Sequence, residues 1–252
     1  MSTPHVIRVA VAGARGRMGQ EVVKMLGQDP ELLYVGELDT RQDEETIRQQ
    51  FAELRPDVLV DFTTPHTVYR HMELCLQHGV RPVVGTTGLT PEQMDELKHR
   101  FQTAGLGAII APNFAIGAIL CMKFAAMASK YMPHVEIIEL HHDNKLDAPS
   151  GTALKTAELI AAVRSGKKQG HPQETESIPG ARGADYQGFR IHSVRLPGMV
   201  AHQEVLFGAT GQTLSIRHDS INRESFMPGV NMAIKAVMNL SELVYGLEHL
   251  ID

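Results

Sequence analysis

The chain has 252 residues, of which 43% are hydrophobic and 21% charged, a balance near the globular average that argues against disorder and against a membrane bundle. Lys and Arg total 24 against 29 Asp and Glu, for a formal charge of −5, which is a poor match to a phosphate backbone, and the lack of Trp removes a stacking platform for single-stranded bases. The composition therefore predicts a cytoplasmic protein of one large or two ordinary domains, with no nucleic-acid and no membrane partner. Cys75 and Cys121 sit in apolar patterns rather than a C-x-x-C pair, as packed thiols of a reducing compartment do. Residues 101–122 carry no charge, but Pro112, Asn113 and glycines interrupt them, so a strand, a loop and a helix start are expected there rather than a membrane span. No export signal is expected, because the apolar run from Val6 to Ala12 ends in a glycine-rich turn.

In chain order, Val6 to Ala12 reads as a strand, Met18, Val22, Met25 and Leu26 as one face of a helix, and Leu32 to Leu38 as a second strand. A helix over Glu44 to Leu54, a buried strand from Asp57 to Phe62 and a helix opened by Pro65 follow. Val80 to Gly85 is the next strand. Thr90-Pro91-Glu92-Gln93 has the cap, first-turn proline and third-position Gln of a capping box, and Leu106 to Ala111 is a further strand. This alternation predicts an α/β fold, a Rossmann-type doubly wound parallel sheet with helices on both faces over residues 1–113. From residue 114 the pattern changes. A helix from about Gly117 to Tyr131, a strand over Val135 to Leu140, a helix from Thr152 to Val163, a long loop from Ser165 to Gly188, and strands over Phe189 to Leu196, Val200 to Ala209 and Thr213 to His218 predict a second, α+β domain with a mixed sheet. Val230, Ile234, Val237, Leu240 and Val244 have helical spacing, predicting one core-facing helix over Phe226 to Leu250.

The turn after the first strand, Gly13-Ala14-Arg15-Gly16-Arg17-Met18-Gly19, lies between a predicted strand and a predicted helix. Glycines there permit a tight turn, let backbone N–H groups approach a pyrophosphate and allow close helix packing. The spacing is G-x-x-G-x-x-G, and taken alone an ordinary glycine-rich turn is an equal alternative. Asp39, near the end of the second strand, shifts the balance, because a carboxylate there can accept hydrogen bonds from the adenosine ribose hydroxyls. Gly85-Thr86-Thr87-Gly88 and Ala111-Pro112-Asn113-Phe114 follow the fourth and fifth strands, where ligands of open α/β sheets bind, and their small hydroxyls and amides suit a nicotinamide carboxamide.

The most distinctive run is Glu139-Leu140-His141-His142-Asp143-Asn144-Lys145-Leu146-Asp147-Ala148-Pro149-Ser150-Gly151-Thr152-Ala153. The Ser150-Gly151-Thr152 helix start offers backbone N–H groups to an anion, Lys145 adds a point charge suited to carboxylates, and an imidazole can supply a proton. Metal ligation is the competing chemistry. Adjacent histidines leaving a strand point to opposite faces and no third ligand accompanies them, so no metal is expected.

Together these runs, with Asp61-Phe62-Thr63 and the closing Arg223, Phe226 and Gly229, resemble the dihydrodipicolinate reductase family of the diaminopimelate route to lysine, over essentially the whole chain. The resemblance implies NAD(P)H-dependent reduction of 4-hydroxy-tetrahydrodipicolinate to tetrahydrodipicolinate with loss of water. It makes His141 the catalytic acid/base and Lys145 a second proton donor, with His142, Gly151 and Thr152 holding the carboxylates of a small cyclic dicarboxylate. The dinucleotide is implied to lie on Gly13 to Met18, Asp39, Gly85 to Thr87 and Ala111 to Phe114. The family pattern further implies that residues 222–252 return to the first domain, and that the second domain, 114–221, binds substrate and builds a homotetramer.

Two positions depart from the family pattern. Thr40 stands where members favouring NADP often have an arginine, and Ala115 where many have a serine. Asp39 favours NADH, whereas Arg15, Arg17 and Arg41 supply cations for a 2′-phosphate, so use of both NADH and NADPH is expected, with NADH at least as good. The competing functions are another two-domain amino-acid dehydrogenase, which the Lys145-to-Thr152 run disfavours, and a non-catalytic dinucleotide sensor, which would need neither His141 nor Lys145.

Overall fold

A computed structural model describes residues 6–166 and 168–251. In chain order the elements are β1 (Ile7–Ala12), α1 (Arg17–Leu26), β2 (Leu32–Glu37), α2 (Glu44–Leu54), β3 (Val58–Asp61), α3 (Val68–His78), β4 (Arg81–Val84), α4 (Pro91–Ala104) and β5 (Ala108–Ile110). Next come α5 (Ile116–Ser129), β6 (His134–His141), α6 (Gly151–Val163), β7 (Ala184–Tyr186), β8 (Phe189–Arg195), β9 (Ala201–Ala209) and β10 (Gln212–Ser220), and then α7 (Met227–Val237) and β11 (Leu243–Tyr245). The chain divides into two compact units, one reaching Phe114 and resuming at Phe226, the other Ala115–Ser225.

The first unit is a six-stranded parallel sheet in the order β11-β5-β4-β3-β1-β2. Order reverses between β1 and β3, the switch point at which the carboxyl ends of the strands open a crevice for a ligand. Strands covered on both faces read as unbroken apolar runs. Val58, Leu59 and Val60 are accordingly fully buried, and so is Asp61, which ends β3. The Thr90 capping box forms as the sequence predicts, with the hydroxyl accepting from Gln93 N–H and Gln93 accepting from Thr90 N–H.

The second unit has a five-stranded mixed sheet, β10-β9-β6-β8-β7. Its core gathers Cys121 and Ala125 of α5, Ala153, Ala157 and Ile160 of α6, and Val135, Ile137, Phe189, Ile191, Val205 and Phe207 of the strands. Fully burying an aliphatic or Phe side chain contributes about 1.5–3 kcal/mol, so this one layer is enough to hold both helices on the sheet.

Three elements differ from the sequence expectation. The helix assigned to Pro65 begins at Val68, because Thr67 and Val68 N–H both donate to Thr64 O and make residues 64–67 a turn in front of it. The loop over 165–188 contains β7, a short antiparallel partner of β8. The C-terminal stretch is not one helix. α7 ends at Val237, and Leu243–Tyr245 pairs with β5 in parallel, which satisfies that strand's backbone groups as well as its own. Among the described residues no helix is long and apolar enough to cross a membrane.

Candidate active site

In the first unit Gly13 has φ 78° and Gly16 N–H donates to Gly13 O at 2.9 Å, which closes the turn between β1 and α1. A Cβ on Gly19 would lie 2.1 Å from Gly13 O, so only glycine lets α1 start this close to the strand. Ala14 is buried within the turn, and Arg17 and Met18 are the first two residues of α1. The helix N-terminus behind such a turn is a ready anion site.

Gly13, Arg15, Gly16 and Asp39 line one cavity of about 450 Å³, together with Thr40, Arg41, Phe62, Thr63, Thr64, Thr67 and His71. Arg41 holds Asp39 bidentately, Nε to Oδ1 at 2.8 Å and Nη2 to Oδ2 at 2.9 Å, and these bonds keep the carboxyl well below the usual range. Arg15 Nε bonds Glu37 Oε2 at 2.9 Å on the same rim. The cavity thus carries an acidic group with cations beside it.

Thr86, Thr87 and Pro112 line a second cavity of about 250 Å³ in this unit, with Tyr245 of β11 on its wall. Gly85 allows the Phe62 ring to pack against the backbone, since a Cβ there would lie 2.0 Å from Phe62 Cε1. Phe62 in turn meets the Phe114 ring at 5.7 Å. Ala111 and Phe114 are buried and Asn113 is half-buried. Of the expected cofactor residues, Gly13, Arg15, Gly16 and Asp39 therefore line the larger hollow and Thr86, Thr87 and Pro112 the smaller, whereas Ala14, Arg17, Met18, Gly85, Ala111, Asn113 and Phe114 line neither of these two.

Beneath the larger cavity lies a polar cluster that the motif analysis missed. His71 Nδ1 is 2.5 Å from Asp61 Oδ2, and both side chains are essentially buried. Asp61 Oδ1 accepts from Thr63 N–H, Thr63 Oγ1 and Thr86 Oγ1. Burial alone raises this carboxyl, but the bonds from His71 and Thr63 outweigh it and hold the group ionised below its ordinary range. His71 Nε2 reaches Thr40 Oγ1 at 2.5 Å.

In the second unit His141 is the last residue of β6, and its Nδ1 lies 2.5 Å from Oε2 of the fully buried Glu139. Arg195, the register partner of His141 on β8, holds both Glu139 oxygens at 2.9 and 2.8 Å, and its Nη2 also donates to Asp147 O at 2.7 Å. Ser150 N–H is a further donor to Glu139, at 3.3 Å. Burial pushes Glu139 up, yet bonds from His141, Arg195 and Ser193 bring it down to about 2. An ionised acceptor places the Nδ1 proton of a neutral His141 toward Glu139 and leaves the lone pair on Nε2.

Lys145 Nζ bonds Asp147 Oδ1 at 2.7 Å, four residues along the same loop from His141. Ser150 caps α6, its hydroxyl accepting from Ala153 N–H at 3.2 Å. Its N–H is thereby spent within the protein, whereas its hydroxyl has only accepted and retains a proton to donate. Gly151 and Thr152 form the first turn of α6, where helix N–H groups lack intrahelical partners, and His142, on the loop that precedes them in the chain, is exposed. Among the described residues no group of three or more His, Cys, Asp or Glu side chains is placed to hold a metal ion.

A parallel sheet with a glycine turn, an acidic residue after β2, and a separate mixed-sheet unit bearing a histidine and a lysine define a two-domain oxidoreductase of the nicotinamide-dinucleotide class. Residues 7–114 match the family model "Dihydrodipicolinate reductase, N-terminus" and residues 117–251 match "Dihydrodipicolinate reductase, C-terminus", and the chain belongs to this family. It is 60% identical to the 4-hydroxy-tetrahydrodipicolinate reductase of Halalkalibacterium halodurans, over 98% of this chain and 100% of the relative. Against the Bacillus subtilis enzyme of the same name it is 55% identical, over 98% and 99%. A solved dipicolinate-bound dihydrodipicolinate reductase from Paenisporosarcina sp. TG-14 superposes with TM-score 0.90 at 51% identity, over 98% of this chain and 100% of that one. A diaminopimelate dehydrogenase of C. glutamicum, at 14% identity and TM-score 0.55, shares the fold alone.

Proposed function

We propose that the chain catalyses the NAD(P)H-dependent reduction of 4-hydroxy-tetrahydrodipicolinate to tetrahydrodipicolinate, with loss of water, in the diaminopimelate pathway of lysine biosynthesis. The observation that carries the catalytic assignment is the Glu139–His141–Arg195 cluster at the end of β6, with Lys145 on the loop leading to α6. A sensor of dinucleotides has no use for a buried carboxylate that fixes the tautomer of a histidine still partly open to solvent.

The glycine turn fits the pyrophosphate of a dinucleotide, because a side chain at Gly19 would collide with the Gly13 and Ala14 backbone of the turn and Gly13 holds a positive φ of 78°. When bound, the cofactor supplies the hydride, and the protein's tasks are orientation and protons. Thr86, Thr87 and Asn113 offer polar groups to the carboxamide. Gly151 and Thr152 receive one carboxylate of the substrate at the α6 N-terminus, and His142 helps with the other. His141 Nε2 exchanges the proton at the reacting ring while Glu139 and Arg195 hold the imidazole still. Lys145 is the second proton donor, its Asp147 partner orienting the ammonium until the substrate arrives.

Both NADH and NADPH serve, with NADH at least as good. Asp39 accepts from the ribose hydroxyls and repels a 2′-phosphate, while Arg41 and Arg15 offset that repulsion. The second unit builds a homotetramer, for which the sheet face opposite α5 and α6 offers Ile138, Leu140, Val194 and Leu206, none of them fully buried. The deciding experiment follows oxidation of NADH and of NADPH with substrate generated in place by the preceding synthase. Turnover with either cofactor supports the assignment, and turnover with neither overturns it.

A further inference from the structure

The Asp61–His71 pair is a buried hydrogen-bonded couple that the reduction itself does not use. It lies under the cavity that also holds Asp39 and Arg41, and Thr40 Oγ1 is the atom that links it to the cavity wall. We propose that Thr40, His71 and Asp61 form a hydroxyl relay that reads the 2′ position of the adenosine ribose, presenting an acceptor to NADH and a donor to NADPH. This rests on the dinucleotide-binding assignment above.

The chemistry follows from the hydrogen-bond inventory. Asp61 is an ionised acceptor, so His71 Nδ1 carries a proton and donates to Oδ2. In the neutral ring Nε2 is a lone pair and accepts from the Thr40 O–H at 2.5 Å. The Thr40 oxygen then turns its lone pairs to the cavity, where a ribose 2′-hydroxyl can donate to them. If the ring takes up a proton from solvent, Nε2–H donates to Thr40 Oγ1 instead. The hydroxyl hydrogen is released toward the cavity, ready to donate to a 2′-phosphate oxygen, and the new positive charge stands one side chain behind it. Asp61 stabilises that imidazolium without leaving its place.

The imidazole is faced by groups from each element packed against it. Asp61 faces the ring from the end of β3, and from the following loop Thr63 Oγ1 lies 3.5 Å from Nδ1 and 2.9 Å from Thr67 Oγ1. On α3 itself Cys75 is buried, its thiol pushed up by that burial and by the Asp61 charge, and Arg70 pairs with Glu44. From the β2 side the cavity holds Asp39, Arg41, Glu37 and Arg15, of which Arg41 is neutralised by Asp39 and Arg15 by Glu37. Thr86 completes the carboxylate's donors from beyond β4.

The test is proton linkage measured by titration calorimetry of the full chain at about pH 8, where the 2′-phosphate is fully ionised since its second pKa is about 6. Runs in two buffers of different ionisation heat give the protons taken up per NADH and per NADPH bound. The relay requires uptake of a substantial fraction of a proton with NADPH and little with NADH. His71→Asn removes the difference. Thr40→Val leaves the His71–Asp61 pair intact and lowers NADPH affinity about tenfold, more than that of NADH, because a bond to a charged acceptor is the stronger one. Thr40→Ser restores both behaviours. Equal uptake with the two cofactors overturns the relay, as does an NADPH uptake that persists in His71→Asn. If His71→Asn does not fold, equal losses for both cofactors in Thr40→Val overturn it. Binding of neither cofactor to the unaltered chain is a different failure, because it removes the dinucleotide-binding assignment and the relay with it.

Discussion

Glu139 and His141 are two residues apart on β6, and period-2 alternation puts both on the face covered by α5 and α6, where Nδ1 meets Oε2 at 2.5 Å. Buried carboxylates cost several kcal/mol unless paired and hydrogen-bonded. Glu139 meets that condition with His141, both Arg195 nitrogens and Ser150 N–H.

Glu139→Gln preserves the shape but loses the charge that fixes the His141 tautomer. Its kcat is expected to fall about 10²-fold or more, as losses of general acid catalysis do, with NADH affinity unchanged. Steady-state kinetics together with a direct cofactor titration check this, and an unaltered kcat would detach Glu139 from the reaction.

Glu139 also makes stability depend on pH. Its folded-state pKa is depressed to about 2, so the stabilisation is complete at neutral pH and is lost as pH falls from the usual carboxylate range toward about 2. Urea unfolding of the wild type and of Glu139→Gln should show a gap that is widest near pH 7 and narrows through that acidic window. A gap independent of pH would contradict the assignment.

If Lys145 is the second proton donor, as proposed, Lys145→Ala should lower kcat about 10²-fold or more while leaving cofactor affinity intact. Unchanged turnover would remove Lys145 from the mechanism.

If Gly151, Thr152 and His142 hold two carboxylates, pyridine-2,6-dicarboxylate should compete with substrate more strongly than pyridine-2-carboxylate. Equal inhibition constants for the two would count against a two-anion site.

Arg41 is the cation placed on Asp39 at the cavity proposed for the adenosine ribose. Arg41→Ala should lower kcat/KM for NADPH about tenfold, about 1.4 kcal/mol, and affect NADH less. In the unaltered chain kcat/KM for NADH should equal or exceed that for NADPH at matched ionic strength, and a hundredfold preference for NADPH would show that the cations outweigh Asp39.

The parallel sheet was legible because strands buried on both faces, such as Val58 to Val60, announce themselves as apolar runs between helical periods. The glycine turn and the His141–Thr152 run were legible because they are local. Glu139 was within reach too, since alternation along Val135 to His141 already set its carboxylate on the face of His141. Arg195 was not, because its place depends on the pairing of β6 with β8, more than fifty residues apart in the chain. His71 stands at helical spacing among apolar residues and reads as core until Asp61 and Thr40 are seen on either side of it. The last strand escaped for a similar reason, since Leu240 and Val244 keep the helical period although only pairing with β5 decides the outcome.

β11 has a bearing on how the molecule is made. It borders β5 at the edge of the first sheet, yet a ribosome must emit all of Ala115–Ser225 before Leu243–Tyr245 leaves the exit tunnel. During synthesis β5 is therefore an uncovered rim, able to zip onto the same rim of another nascent chain. The inserted unit can finish first, and the nucleotide-binding sheet waits for its final strand. Slowing elongation over residues 226–242 should lengthen that exposure and increase the share of newly made protein that reaches the insoluble fraction.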